Sequence, residues 1–187
     1  PRAVAQVLLT AEDIDHRTRF LNARHTLERL LEPGGVVPII NENDSVSFSE
    51  IKLGDNDRLS SLVASLISAD LLIILSSVPG VLDKSSPRQV IPELRSLGQA
   101  LSHVTAGKSD VGTGGMATKL KAACDAAATG TPVIIAGGDQ PDIVQRLLRG
   151  EDLGTFFPPA ASATAARKRW IGFSARPNGV LRVDDGA

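Results

Sequence analysis

Leu71-Leu72-Ile73-Ile74-Leu75 is an unbroken run of five apolar residues. A strand covered on one face alternates apolar and polar side chains. An unbroken run of this length reads instead as a strand buried on both faces, as in a parallel sheet. The residues before it carry a different period. Leu59, Leu62, Val63, Leu66 and Ile67 fall at i, i+3, i+4, i+7 and i+8, the stripe of a helix with one buried face. Helix followed by buried strand is the repeating unit of an α/β fold.

The same alternation extends in both directions. Upstream, residues 6–10 read as a strand and residues 12–31 as a helix with Phe20, Leu27, Leu30 and Leu31 inward. Residues 36–40 read as a second strand, entered through Gly34-Gly35, and residues 41–56 as a long polar loop. Downstream of Pro79-Gly80 the pattern is weak as far as residue 109. Residues 117–129 form an Ala-rich helical stretch stopped by Gly130, followed by a buried strand at 132–136 and a short helix at 143–148. Residues 158–166 are a connector of small residues. Residues 168–174 and 179–183 read as two strands joined through Pro177-Asn178-Gly179. No internal repeat is present. Strands alternating with helices predict a mainly parallel sheet, whose ligands sit beyond the carboxyl ends of the strands.

Composition narrows the class. The 187 residues are 42% hydrophobic and 22% charged, enough for one domain with a sizeable core. Aromatics make up only 3%, so that core is aliphatic. A formal net charge of −1 gives no basic footprint for nucleic acid or an anionic membrane. No apolar run reaches the roughly 18 to 20 residues needed to span a bilayer. Cys124 is the single cysteine, which excludes an intrachain disulfide and a Cys-rich zinc site and fits a reducing cytosol.

Three polar stretches could carry chemistry. Gly112-Thr113-Gly114-Gly115-Met116-Ala117-Thr118-Lys119 places three glycines immediately before a strong helix. Glycine lets backbone N–H groups approach an anion, and a helix N-terminus adds unpaired donors and partial positive charge. With two threonine hydroxyls and the Lys119 ammonium, a polyphosphate is the natural guest; the competing reading is a loop before a capped helix. Gly107-Lys108-Ser109 resembles the end of a Walker A sequence but lacks its first glycine, since position 102 is Ser.

Asn41-Glu42-Asn43-Asp44 follows the second strand. Asp44 could pair with an ammonium group and Asn41 could both donate and accept, although Asn and Asp are equally at home in a polar turn. Gly54-Asp55-Asn56-Asp57 precedes the Leu59 helix. One of these residues suffices as an N-cap, and the others could orient lysines around a transferring phosphoryl group. His16, His25 and His103 share no metal-ligand spacing, and Cys124 reads as a small core residue.

Taken together, Gln6-Val7-Leu8-Leu9-Thr10, Val37-Pro38-Ile39-Ile40-Asn41-Glu42-Asn43-Asp44, Gly54-Asp55-Asn56-Asp57 and Gly112 to Lys119 closely resemble bacterial glutamate 5-kinases. Arg167-Lys168-Arg169-Trp170-Ile171 and the ending Val183-Asp184-Asp185-Gly186-Ala187 are also similar to that family. The resemblance runs in order along nearly the whole chain. It implies the amino-acid kinase fold, a three-layer α/β/α sandwich around a mainly parallel sheet. Residues 1–187 would then be the ATP-binding, C-terminal portion of that single domain, without a PUA domain.

The implied activity is ATP-dependent phosphorylation of the γ-carboxylate of L-glutamate, the first step of proline synthesis, in the cytoplasm. Asp44, Asn56 and Asn41 match glutamate-binding positions. Ser76, Ser77 and the segment Thr113, Gly114, Gly115, Met116, Ala117, Thr118 and Lys119 match nucleotide-binding positions. Lys119 and Asp57 would be catalytic, the lysine on phosphate and the aspartate organising lysines. ATP with Mg²⁺ is the implied phosphoryl donor, with no protein metal ligands assigned. Proline as a feedback inhibitor and a homo-oligomeric assembly are expected on the same ground.

Two departures stand out. The family usually has Thr-Asp where this chain has Ser76-Ser77, so a carboxylate is lost beside the nucleotide. Its Asp-Pro-Arg element is Ser86-Pro87-Arg88 here. The family's preceding segment, with a first strand, a Gly-Ser-rich phosphate turn and a catalytic lysine, is not in this sequence; the expectation is a truncated kinase with little activity alone. The alternatives are a superfamily enzyme acting on another carboxylate, a carbamate or a nucleotide, and a non-catalytic nucleotide- or glutamate-binding remnant.

Overall fold

The computed structural model describes residues 2–33, 35–46, 56–86, 88–96, 98–99 and 115–160. The expected strands at 168–174 and 179–183 lie outside the described residues, as do the Gly107-Lys108-Ser109 loop and His103.

The first strand, β1 (Val4–Leu9), leads into helix α1 (Ala11–Asp15) through a capping box. Thr10 Oγ1 accepts from the Asp13 N–H at 3.3 Å, and the Asp13 carboxylate accepts from the Thr10 N–H at 2.8 Å. A single helix over 12–31 was expected. The chain instead steps into extended backbone at His16 (φ −90°, ψ 120°) and starts a second helix, α2 (Arg17–Leu30). Ile14 and Phe20 are six positions apart, about 240° around one straight helix, so both could not face one sheet. The break at His16 lets Ile14, Phe20 and Leu27 all bury. Leu31, expected inward, is 49% exposed because the helix ends before it.

The return into β2 (Val37–Glu42) is tight. The Gly35 N–H donates to the Glu32 carbonyl at 2.7 Å and the Val36 N–H to the Leu30 carbonyl at 2.8 Å. A Cβ on Gly35 would run into the carbonyl oxygens of Leu30 and Glu32. Strand β2 pairs in parallel with β1, from Val4 opposite Val37 to Leu9 opposite Glu42. It extends two residues past the expected end, so Asn41 and Glu42 belong to the strand and not to a loop.

Helix α3 (Asn56–Leu66) buries Leu59, Leu62 and Leu66, as its apolar stripe predicts. The run opened on above becomes β3 (Leu72–Ser76). Helix α4 (Met116–Ala128) and strand β4 (Val133–Gly137) follow, then helix α5 (Ile143–Leu148) and strand β5 (Thr155–Phe157). Strand β4 lies between β3, its parallel partner, and β5, its antiparallel one. The short β5 had no clear sequence signal. It is fixed from outside the sheet: the Val81 N–H donates to Thr155 Oγ1 at 2.8 Å, and both residues are buried.

The layers follow from the alternation along β4. Val133 and Ile135 pack with Leu120, Ala123 and Ala126 of α4, while Ala136 packs with Ile143 and Leu147 of α5. This half is therefore the expected helix–sheet–helix sandwich. On β1 and β2, Val7, Leu9 and Ile40 pack toward the helices, whereas Val4, Leu8, Val37 and Ile39 are exposed on the opposite face. Among the described residues the two sheets share no hydrogen-bonded strand pair, and α3 contacts both. No helix of the described residues is long and apolar enough to cross a membrane.

Candidate active site

Helix α3 starts at the carboxyl end of β2, as in any strand–helix connection. Helix α4 runs into the amino end of β4, so its own start lies toward the carboxyl ends of β3 and β4. The first turns of α3 and α4 meet at this rim. Asp57, in the first turn of α3, is only 8% exposed. Lys119 Nζ lies 2.9 Å from both Asp57 carboxylate oxygens. Thr118 Oγ1 lies 3.0 Å from Asp57 Oδ2 and 2.7 Å from the Gly115 carbonyl, sharing its one proton between them. Ser60 Oγ donates to the Asp57 carbonyl at 2.7 Å.

Three physical effects hold this cluster. A carboxylate in the first turn of a helix faces the positive end of the helix dipole. The ammonium neutralises it at hydrogen-bond distance, with both side chains largely shielded from water. The two groups sit 62 positions apart in sequence, so the pair ties the α3 layer to the α4 layer. An ammonium carries three protons, and the two carboxylate oxygens engage two of them. The third can meet an anion above the rim. Helix α4 opens at Gly115, which has no side chain to cap it.

The other expected residues are placed less tightly. Asn41, Asp44 and Asn56 are exposed near the carboxyl end of β2 and the start of α3. Ser76 ends β3, where its hydroxyl accepts a long 3.4 Å bond from the Val78 N–H, and Ser77 is exposed. Gly115, Met116, Thr118 and Lys119 are partly buried and Ala117 is exposed. Thr113 and Gly114 lie outside the described residues.

The structure adds Gly137-Gly138-Asp139, which sequence reasoning missed. The Gly138 N–H donates to the Ser76 carbonyl at 2.8 Å. A Cβ on Gly137 would stand 3.2 Å from Pro79 Cα and 2.9 Å from Asp139 Oδ1. The loops after β3 and β4 thus close on each other at the same rim. A glycine pair directly after a buried strand was the available signal. Cys124 packs against the α4 core, and burial, then the Asp125 carboxylate, raise its pKa against the opposing pull of Lys121. Cys124 is thus a partly buried thiol whose thiolate form is disfavoured. His25 is exposed and His16 forms the break between α1 and α2.

Residues 3–137 match the model of the Amino acid kinase family. The chain belongs to that family. Among amino acid kinases, it is 50% identical to the glutamate 5-kinase of Trichlorobacter lovleyi over 98% of its own length and 50% of that protein. It is 47% identical to the glutamate 5-kinase of Myxococcus xanthus over its whole length and 50% of that protein. The chain therefore spans about half the length of the curated relatives it matches. Among solved structures, the UMP kinase of Bacillus anthracis superposes with a TM-score of 0.51 at 18% identity, over 86% of this chain and 59% of that one. The N-acetylglutamate synthase of Neisseria gonorrhoeae, complexed with coenzyme A and L-arginine, gives 0.53 at 19% identity, over 73% of this chain and 31% of that one. These two likenesses concern the fold alone and agree with the amino-acid kinase architecture.

Proposed function

We propose that the chain is the ATP-binding portion of a glutamate 5-kinase, acting in phosphorylation of the γ-carboxylate of L-glutamate to glutamyl 5-phosphate. One observation carries the mechanistic reading: Asp57 holds Lys119 at the open start of α4. The identity to glutamate 5-kinases supplies the acceptor. A carboxylate is already a nucleophile, so the reaction needs no general base. It needs alignment of the acceptor with the γ-phosphorus and stabilisation of charge on the transferring group. Lys119 is aimed for the second task by Asp57. The first turn of α4 receives phosphate oxygens, and Ser76, Ser77, Thr113 and Gly114 complete the nucleotide contacts. Asp44, Asn56 and Asn41 take the glutamate, with Asp44 facing its ammonium group.

Mg²⁺ enters with ATP in this reading. Among the described residues no three His, Cys, Asp or Glu side chains form a metal set, and Lys119 engages both oxygens of Asp57. No protein ligand for the ion is assigned in this reading, and it rides on the phosphates. Cytoplasmic location, homo-oligomeric assembly and feedback inhibition by proline belong to the same reading, as does the absence of nucleic-acid and membrane partners.

Glutamate-dependent ADP release tests it, measured on a protein in which this chain replaces the matching stretch of the Trichlorobacter lovleyi kinase. Release with glutamate is expected, and Lys119→Met is expected to lower kcat by about a hundredfold or more. Release with aspartate or N-acetylglutamate but not glutamate would move the chain to another kinase of the family. The loss of a carboxylate at Ser77 favours a second reading, a binding remnant. Binding of an ATP analogue without turnover in the combined protein would select it.

A further inference from the structure

Thr118 falls within the stretch that resembles a nucleotide-binding segment, but its hydroxyl is already engaged. Oγ1 stands 3.0 Å from Asp57 Oδ2 and 2.7 Å from the Gly115 carbonyl. A hydroxyl has one proton to donate, and phosphate oxygens are acceptors. A bond from Thr118 to a phosphate would therefore withdraw that proton from both protein acceptors. The backbone is committed as well: the Thr118 N–H donates to the Gly115 carbonyl at 3.1 Å.

The two acceptors are unequal. The Gly115 carbonyl also takes the backbone N–H groups of Thr118 and, at 3.4 Å, of Lys119, so it stays bonded without the hydroxyl. Asp57 is a buried anion, and a donor on a charged oxygen counts for more than one on a neutral carbonyl. Loss of the hydroxyl thus falls on Asp57. Thr118 and Lys119 are consecutive residues of α4, and both grip the same carboxylate. Lys119 Nζ lies 2.9 Å from each oxygen and favours neither. The hydroxyl reaches Oδ2, which breaks that symmetry and sets the turn of the carboxylate about its Cβ–Cγ bond. Ser60 holds the backbone end, through the Asp57 carbonyl. A carboxylate fixed in position and plane aims the ammonium it faces, and the remaining Nζ proton with it.

We propose that Thr118 is a positioning residue: its hydroxyl orients Asp57 and through it Lys119, and its side chain takes no part in holding the nucleotide. The kinetic consequence rests on the glutamate 5-kinase reading; the contact with Asp57 does not. Binding needs positive charge at the rim, whereas transfer needs that charge in place, so turnover suffers and affinity does not.

The test uses the Trichlorobacter lovleyi kinase in which this chain replaces the matching stretch. Thr118→Val keeps the shape and removes the hydroxyl. It should lower kcat about tenfold, the scale of one hydrogen bond to a charged group, and leave the dissociation constant of a non-hydrolysable ATP analogue within about twofold. Thr118→Ser should restore most of kcat. Thr118→Ala, with no methyl against the carboxylate, should match Thr118→Val. Thr26→Val, which deletes a comparable bond to the Asn22 carbonyl on the exposed side of α2, should change neither quantity. Unchanged kcat in Thr118→Val, or no recovery in Thr118→Ser, would overturn the proposal. So would a loss of analogue affinity of about tenfold, which marks a phosphate contact. A second readout needs no turnover. Without nucleotide, acetic anhydride should acetylate Lys119 about threefold faster in Thr118→Val than in the parent, followed by mass spectrometry. Equal rates would mean that Thr118 does not hold the pair and would end the proposal. Faster acetylation in the variant of a parent that releases no ADP would keep it and sink the kinase reading.

Discussion

Strands β2 and β4 have similar sequences and different surroundings. Val133-Ile134-Ile135-Ala136 is sandwiched between α4 and α5, with Val133, Ile135 and Ala136 fully buried. Among the described residues, Val37-Pro38-Ile39-Ile40 meets helices on one side only, and Ile39 stays more than half exposed. An apolar run states that a strand is suited to burial on both faces. It does not state which segment provides the second cover, or whether that segment belongs to the same stretch of chain.

The largest expected effect is the contrast between these two strands. Ile135→Ala should cost about 2–5 kcal/mol, through lost transfer energy and a cavity that cannot collapse. Ile39→Ala should stay within about 0.5 kcal/mol in the isolated chain. Urea denaturation measures both, and similar losses would abolish the distinction. The next effect concerns the pair that joins the two regions. Asp57→Asn leaves Lys119 mostly buried beside a neutral amide and should destabilise by about 1–3 kcal/mol. A double-mutant cycle with Lys119→Met should show coupling; strict additivity would mean that the pair does not link α3 to α4.

The smallest effect is in the covered region. Burial holds the Cys124 thiol above its ordinary value of 9.0. Its proton is then retained in the folded chain where the unfolded chain would lose it. The thiol's contribution to stability is complete below pH 9 and declines as pH rises through the higher folded value. Alkylation by iodoacetamide at pH 8 should be slower than for the unfolded chain, and equal rates would show that the α4 core is open.

Much of this was legible in advance, for identifiable reasons. The helical stripe at Leu59, Leu62 and Leu66 and the run ending at Leu75 each carry a single period, and both became the expected element. Asp57 and Lys119 were assigned through motif resemblance, and the structure brings them into contact. Their pairing could not be read from periodicity, because it depends on how two layers stack. The break at His16 was hidden because the charged residues around it read as helix from end to end. Strand β5 was hidden because three residues carry too little pattern, and its position is set by Thr155 reaching Val81. The polarity of Asn41 reads as a turn signal, whereas the ladder to Leu8 carries the strand through it.

The bond from Val81 to Thr155 also has a consequence in time. Its partners are 74 positions apart. At about 5–20 residues per second, a ribosome takes roughly 4 to 15 s to add that many residues. A local loop closes in well under a microsecond. The Val81 amide thus emerges long before the hydroxyl that satisfies it, and β4, finished at Gly137, lacks its outer neighbour only over the last part of that interval, until Thr155 follows. From the completion of Gly137 until Phe157 is made, the nascent β3–β4 pair presents a bare edge, a stretch of synthesis in which a chaperone has something to protect.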